Sequence, residues 1–431
     1  MRYVSTRDAS GPGVSFEEAL LQGMAKDGGL YVPASLPHIG TRAATSLADL
    51  GSDVLERWIG DEFEAGALDT LVREALNFPA PLVPLAGGGW SRDVFVLELF
   101  HGPTLSFKDF GARTMARAMA YFLRRRGRRL TILVATSGDT GSAVADGFAG
   151  IDAIDVVLLY PSGKVSPIQE RQLIQKRSGV RALSVEGTFD DCQRLVKQAF
   201  IDPELAALPL SSANSINIGR LLPQMLYYRW AVEQEGLASP VFVVPSGNLG
   251  NLTAGILACG SGMPASGFVA AHNENDFFPR YLAGEEATFG PSIPTPSNAM
   301  DVGAPSNFER LRHLLGTDEL RRLVRGERVD AATTYATMRR VYEETGYLAD
   351  PHTAVGLEAA RRRREAGVVG VIVVLSTAHP AKFDDIVRKA VGCAPTMPAA
   401  LAALLGGKTE VQPIARDYAA FRRYMLASSA A

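Results

Sequence analysis

The residue in this sequence with the most chemical potential is a lysine set between aromatic side chains where a helix begins. The stretch His101-Gly102-Pro103-Thr104-Leu105-Ser106-Phe107-Lys108-Asp109-Phe110-Gly111 puts Lys108 there, just ahead of a helix expected from near Phe110. Apolar neighbours and the positive end of a helix both disfavour an ammonium group. Moving a lysine from ~10.4 to ~7 takes roughly 4–5 kcal/mol of differential interaction. Lysines held in this way form Schiff bases or act as general bases. The alternative for this stretch is a lysine whose stem lies along apolar surface and whose head pairs with Asp109.

Three further groups of residues could meet anions or a polar ring. Gly247-Asn248-Leu249-Gly250-Asn251 falls between an expected strand and an expected helix. Glycines let backbone N–H groups approach an anion, and the helix N-terminus adds positive potential. Taken alone, such a loop serves a phosphate or is only a tight turn. It is neither GxGxxG nor a Walker A loop, which argues against dinucleotides and nucleoside triphosphates. In Ser215-Ile216-Asn217-Ile218-Gly219-Arg220, Arg220 offers a planar fork to a phosphate, with Ser215 and Asn217 as neutral donors. The other reading is an arginine at the end of a surface helix. Ser376-Thr377 follows an apolar run, where a hydroxyl serves as a helix cap or as a ligand to something bound. Lys164, a loop lysine, is a weaker phosphate candidate. His101 and His379 flank these motifs, and a backbone hydrogen bond accounts for each, so neither is placed among the catalytic residues.

These side chains need elements to hold them. From about Arg128 the chain repeats an apolar strand, a small-residue loop and an amphipathic helix. Leu130 to Ala135 leads into Thr136-Ser137-Gly138-Asp139-Thr140-Gly141 and a helix from near Ser142. Val156 to Tyr160, Val241 to Val244 and Val371 to Leu375 begin further copies. Continuous β-branched runs such as Val371-Ile372-Val373-Val374 suit strands buried on both faces of a parallel sheet, and alternation with helices predicts an α/β architecture. Ligands on such sheets gather at the carboxyl ends of strands, which is where the loops above lie. Roughly the first 90 residues break the pattern, with helical pieces around Phe16 to Lys26 and Leu50 to Ile59. Pro291 to Asn307 is irregular and rich in Pro, Ser and Asn, as a functional loop or a surface excursion would be.

Composition narrows the class. The 431 residues are 47% hydrophobic and 21% charged with a formal charge of -2, which is globular and gives no basic surplus for nucleic acid. The run Arg124-Arg125-Arg126-Gly127-Arg128-Arg129 follows a helical pattern and is expected to complement that helix's C-terminus. Three dispersed cysteines imply no disulfide framework, the six histidines show no metal-site spacing, and no apolar stretch is long enough for a membrane span. The expectation is a cytoplasmic protein with neither metal, nucleic-acid nor membrane partner.

SFKDFGAR around Lys108 resembles the cofactor-lysine motif of threonine synthases, within the fold-type II pyridoxal-phosphate enzymes. The resemblance extends through Lys26-Asp27-Gly28-Gly29-Leu30-Tyr31-Val32-Pro33, SGDTGSA at Ser137 to Ala143, NSINIGRLLPQ at Asn214 to Gln224, and PSGNLGN at Pro245 to Asn251. It continues with SNAMDVGAPSNFER at Ser297 to Arg310 and TAHPAKF at Thr377 to Phe383. Seven strings in the family's order are highly specific. The resemblance implies a fold like the tryptophan synthase β chain, with two parallel-sheet lobes and an accessory N-terminal segment. The expected division is 1–90 for that segment, 91–136 and 237–431 for the large cofactor-binding domain, and 137–236 for a smaller mobile lobe. Pyridoxal 5'-phosphate would be carried on Lys108, its phosphate in the loop Gly247, Asn248, Leu249, Gly250 and Asn251, and its pyridine nitrogen facing Thr377. A neutral hydroxyl there moderates the electron sink and leaves more proton handling to Lys108. Arg220, Ser215 and Asn217, with Ser137 and Thr140, would hold the phosphate of O-phospho-L-homoserine, which water and the enzyme convert to threonine. Many relatives place Asn where this loop has Asp139, so the family's role at that position is not carried over. Asp301 and Asn307 lie in a family motif whose purpose spacing does not give. Relatives with this longer N-terminal segment often act as monomers.

Overall fold

The β-branched runs form two sheets in the computed structural model, which describes residues 1–40, 44–136 and 138–429. The larger sheet has six strands in the order Val324–Arg328, Gly267–His272, Val241–Pro245, Ile372–Ser376, Val94–Glu98 and Leu82–Pro84. Ile372–Ser376 is buried along its whole length, with Val374 opposite Val96 on one side and Val243 on the other. The strand Leu82–Pro84 is antiparallel to its neighbour and lies at the edge, where Pro84 needs no ladder donor. The smaller sheet is all parallel, in the order Gln412–Ala415, Val180–Glu186, Ile154–Pro161, Leu130–Ala135 and Leu210–Ser212. The expected α/β architecture with two parallel lobes is therefore present, apart from that one antiparallel edge.

The expected boundaries move in three places, each because backbone hydrogen bonds decide membership. Leu130–Ala135, assigned by the break at 136 to the large domain, is an inner strand of the smaller sheet. Gln412–Ala415, assigned with 237–431, pairs with Val180–Glu186, and the helix Tyr418–Ser429 buries Phe421 and Met425 against Cys192 and Leu195 of Phe189–Ile201. Leu82–Pro84, within 1–90, already belongs to the larger sheet.

The N-terminal segment holds the helices Phe16–Gln22, Leu47–Ile59 and Ala67–Ala75. It also contains a pair of antiparallel strands, Tyr3–Ser5 and Tyr31–Pro33, too short to leave a periodic signal. Its Phe16 and Trp58 share a core with Phe110 and Phe122 of the helix Lys108–Arg126. That helix ends with Arg124, Arg125 and Arg126 in its last turn and Gly127 in the left-handed conformation. Arg126 pairs with Glu17 at 2.5 Å and Arg129 with Asp155 at 3.2 Å, so the basic run complements a helix end as expected. Among the described residues no helix is long and apolar enough to cross a membrane.

Candidate active site

A cleft opens where the strands Leu130–Ala135, Val241–Pro245 and Ile372–Ser376 end, and it is lined by Lys108, Thr140, Ser215, Arg220, Gly247 to Asn251 and Thr377. Lys108 is the first residue of its helix, two positions ahead of the expected start. Its Nζ lies 5.3 Å from the centre of the Phe107 ring. Asp109 does not pair with it. That carboxylate is buried and accepts from the Thr104 N–H at 2.9 Å and the Thr104 hydroxyl at 2.6 Å. Burial raises Asp109 to about 7 in spite of those bonds. Burial also brings the Lys108 amine down to about 8; Asp139 opposes the change, and Arg220 and Lys382 add to it. About a tenth of Lys108 is thus uncharged at pH 7, far more than for an exposed lysine.

The glycine loop forms a concave cradle, tightly fixed by its surroundings. Leu249 takes φ 60°, which turns the chain into the helix Gly250–Gly260. A side-chain carbon at Gly247 would stand 2.9 Å from the Met300 Cα, so only glycine permits this approach. The Asn248 amide donates to the Ser215 hydroxyl at 2.6 Å and accepts from the Ser306 N–H at 2.5 Å, while Asn307 donates to the Asn248 carbonyl at 3.0 Å. Asn251 Oδ1 accepts from the hydroxyls of Tyr227 and Tyr228, both at 2.7 Å, and its buried Nδ2 has no partner.

Behind this cradle lies Arg310, fully buried, which donates to the carbonyls of Tyr31, Ser215 and Ile216 and to Asn307 Oδ1. Asn307 therefore ties the glycine loop to Arg310, a role its spacing in the sequence does not disclose. Asp301 fastens the irregular wall by accepting from the Thr295 N–H at 2.9 Å and from Asn273 at 2.8 Å. Burial raises it to about 6 against those bonds. Within Pro291 to Asn307, Asn298 to Ala304 thus form a cleft wall, while Ile293 stays exposed.

Arg220 is 3% exposed, and it is not the surface arginine that one reading allowed. Its Nη1 donates to the Ala213 carbonyl at 2.6 Å, its Nε is buried without a partner, and it makes no ion pair with a carboxylate among the described residues. Burial lowers it to about 10, with Asp109 opposing. Thr140 and Ser215 line the same cleft, but Asn217 does not. Asn217 is fully buried, donates to the carbonyls of Leu20 and Ser212, and accepts from the Gly219 N–H, which caps the turn Ile218–Leu221. Its amide is committed to structure, which corrects its placement among the phosphate-binding residues. Ser137 lies outside the described residues.

The Thr377 carbonyl accepts from the Phe107 N–H at 2.9 Å, which fixes the hydroxyl residue next to the Lys108 segment. Thr377 is not the helix cap. His379 is, its Nδ1 accepting from the Ala381 N–H at 3.1 Å, as its backbone-bonding reading has it. His101 pairs instead with Glu98 at 2.7 Å, and Lys164 is exposed away from the cleft.

Sequence reasoning missed two buried arrangements. One is the ion pair of Asp139 and Lys382 at 2.6 Å. The other is His352, which lines the cleft, bonds Asp350 at 2.7 Å and accepts from the Ala299 N–H at 3.1 Å. Both Asp139 and Lys382 sit inside recognisable strings, but their partnership joins segments remote in sequence and left no local mark. The helix carrying Asp139 starts there rather than near Ser142, because the Thr136 hydroxyl accepts from the N–H groups of Gly138 and Gly141 at 3.1 and 2.8 Å.

The residues present fit pyridoxal phosphate. A partly neutral amine, a hydroxyl for a ring nitrogen, a loop at a helix N-terminus with no room for a Cβ at Gly247, and an unpartnered amide donor at Asn251 all line one cleft.

Comparison with known proteins agrees. Residues 74–377 match the model of the pyridoxal-phosphate dependent enzymes, residues 2–76 that of the threonine synthase N terminus, and residues 353–425 that of the threonine synthase C-terminal region. Threonine synthase of Escherichia coli is 42% identical over 424 residues, covering 96% of each chain. The crystal structure of the pyridoxal-phosphate-bound threonine synthase from Brucella melitensis superposes with a TM-score of 0.92 at 38% identity, covering 100% of both chains. The yeast threonine synthase structure gives 0.90 at 32% identity, over 100% of this chain and 99% of that one. With likeness of this extent from end to end, on a cleft built for that cofactor, the chain belongs to the threonine synthase family of pyridoxal-phosphate-dependent enzymes.

Proposed function

We propose that this protein converts O-phospho-L-homoserine and water into L-threonine and phosphate, with Lys108 carrying the cofactor and moving the protons. One observation carries the reading. A half-buried amine held near 8 shares a cleft with a glycine loop at a helix N-terminus and with a buried guanidinium that has no carboxylate partner. Two anions are thereby accommodated, one of the cofactor and one of the substrate. A substrate without a phosphate would leave the Arg220 charge buried and unmatched.

Pyridoxal phosphate supplies, when bound, a conjugated ring that takes up the electron pair left at the substrate Cα. The N–H groups of Gly247 to Asn251 would hold its phosphate, and the Thr377 hydroxyl would meet its ring nitrogen as a neutral partner. Lys108 Nζ takes the proton from Cα and then one from Cβ, whose electron pair expels phosphate from Cγ. It returns protons to Cγ and Cα, and water adds its hydroxyl at Cβ while its other proton goes to the departing phosphate. Arg220 and Thr140 hold the substrate phosphate. Ser215, hydrogen-bonded to Asn248, serves where the two anion sites meet. The lobe of the smaller sheet, which contributes Thr140, is the part that closes and excludes bulk water. Three unpaired cysteines suit a cytoplasmic location.

Incubating the cofactor-loaded protein with O-phospho-L-homoserine is expected to yield threonine and phosphate in equal amounts by amino-acid and phosphate analysis. Release of 2-oxobutyrate as sole carbon product would refute the assignment. For Arg220→Ala, loss of a charge-assisted contact is expected to weaken substrate binding by roughly 10- to 100-fold. Cofactor content should stay near that of the parent. Loss of cofactor with unchanged substrate affinity contradicts this division of labour.

A further inference from the structure

A buried ion pair adds little net stability, since apolar side chains of similar volume often serve as well. The pair of Asp139 and Lys382 therefore asks for another reason. Asp139 opens the helix Asp139–Phe148 of the smaller lobe, and Lys382 lies in the turn Pro380–Phe383 that follows the strand Ile372–Ser376. The two side chains are 4% and 0% exposed and 2.6 Å apart. Gln169 donates to Asp139 at 2.8 Å, and Lys382 donates to the Thr104 carbonyl at 2.8 Å. Thr104 in turn holds the carboxylate of Asp109, the neighbour of Lys108. The pair is thus joined to the Lys108 segment through Thr104, and Asp139 faces the same cleft as Lys108.

We propose that Asp139 and Lys382 are positioning residues that set the charge on the Lys108 nitrogen in opposition, the carboxylate favouring its protonated form and the ammonium its neutral form. This rests on Lys108 being the cofactor lysine. The directions are those that the two charges exert on the free amine. Other charged groups also face Lys108. Arg220, from the turn Ile218–Leu221, lowers it, and Asp109 on its own helix is turned to Thr104. Asp190, Asp301 and His352 stand on the remaining walls of the cleft. Among the described residues only Asp139 and Lys382 act on it with opposite sign while bonded to each other, so breaking one half exposes the full effect of the other.

The test uses full-length, cofactor-loaded Asp139→Asn, Lys382→Met and the double variant. Borohydride reduction and peptide mapping first establish where the pyridoxyl group sits in each, and the visible band is then titrated with pH. Asp139→Asn is expected to move the midpoint down by about one unit, and Lys382→Met up by about one unit. The double variant should return to within about half a unit of the parent. A purely structural role would move neither midpoint, or both in one direction, and either result overturns the proposal. If Lys382→Met does not fold, the Asp139→Asn midpoint and its reversal in the double variant decide the matter. A pyridoxyl group mapped away from Lys108 refutes the function proposed above. A group on Lys108 with unmoved midpoints refutes only the role of the pair.

Discussion

Lys108→Ala is expected to lower threonine formation by at least about 10⁴-fold, because one side chain is asked both to bind the cofactor covalently and to move protons at carbon. Neither role can pass to a neighbour. Lys382, the other buried amine nearby, is engaged by Asp139 and by the Thr104 carbonyl. Steady-state assay with O-phospho-L-homoserine measures the loss, and the band of protein-bound cofactor should vanish with it. The parent apoprotein should also attach the cofactor faster as pH rises. The neutral fraction of Lys108 grows about tenfold per pH unit below about 8 and levels above it. Turnover at the parental rate in the alanine variant would remove Lys108 from the mechanism.

Arg310→Met is the second large effect, and it acts without touching substrate. The guanidinium satisfies the carbonyls of Tyr31, Ser215 and Ile216 and the side chain of Asn307, all at a fully buried position. Methionine fills similar space but donates nothing, so several acceptors lose their partner, at about 1–3 kcal/mol for each group left unsatisfied. Relaxation and water entry bring the sum to about 3–5 kcal/mol. In a chain of this size that corresponds to roughly 5 °C in the thermal midpoint. Cofactor affinity should fall as well, since Arg310 steadies Ser215 and Asn307, two of the residues bonded to Asn248. Lysine at 310 should restore little, because one ammonium cannot span four acceptors. An unchanged apoprotein midpoint in Arg310→Met would sink this account.

What the sequence discloses follows from what is local. Val371 to Leu375 announces a buried strand because every residue in the run is apolar, and Lys108 stands out because its own flanks are aromatic. The glycine loop is visible for the same reason. Asn217 misleads because its side chain suits a phosphate as well as it suits the carbonyls of Leu20 and Ser212, and only the fold brings Leu20 there. Asp139 with Lys382, and Arg310 with Tyr31, are partnerships between distant segments, so no window of sequence contains them. The lobe boundary fails at Leu130–Ala135 on the same ground. The run reads correctly as a strand, yet the choice of sheet is made by the hydrogen bonds of Leu210–Ser212 and Ile154–Pro161.

The return of the chain's last strand to the smaller sheet has a practical consequence for how the protein can be trimmed or fused. Gln412–Ala415 occupies the ladder of Val180–Glu186, and the helix after it shields Leu183 and Val185. Deleting residues from 409 onward would bare a row of unpaired amide and carbonyl groups beside an apolar face, the template on which molecules stack edge to edge. A shortened version should therefore precipitate on expression even with every residue of the cleft intact.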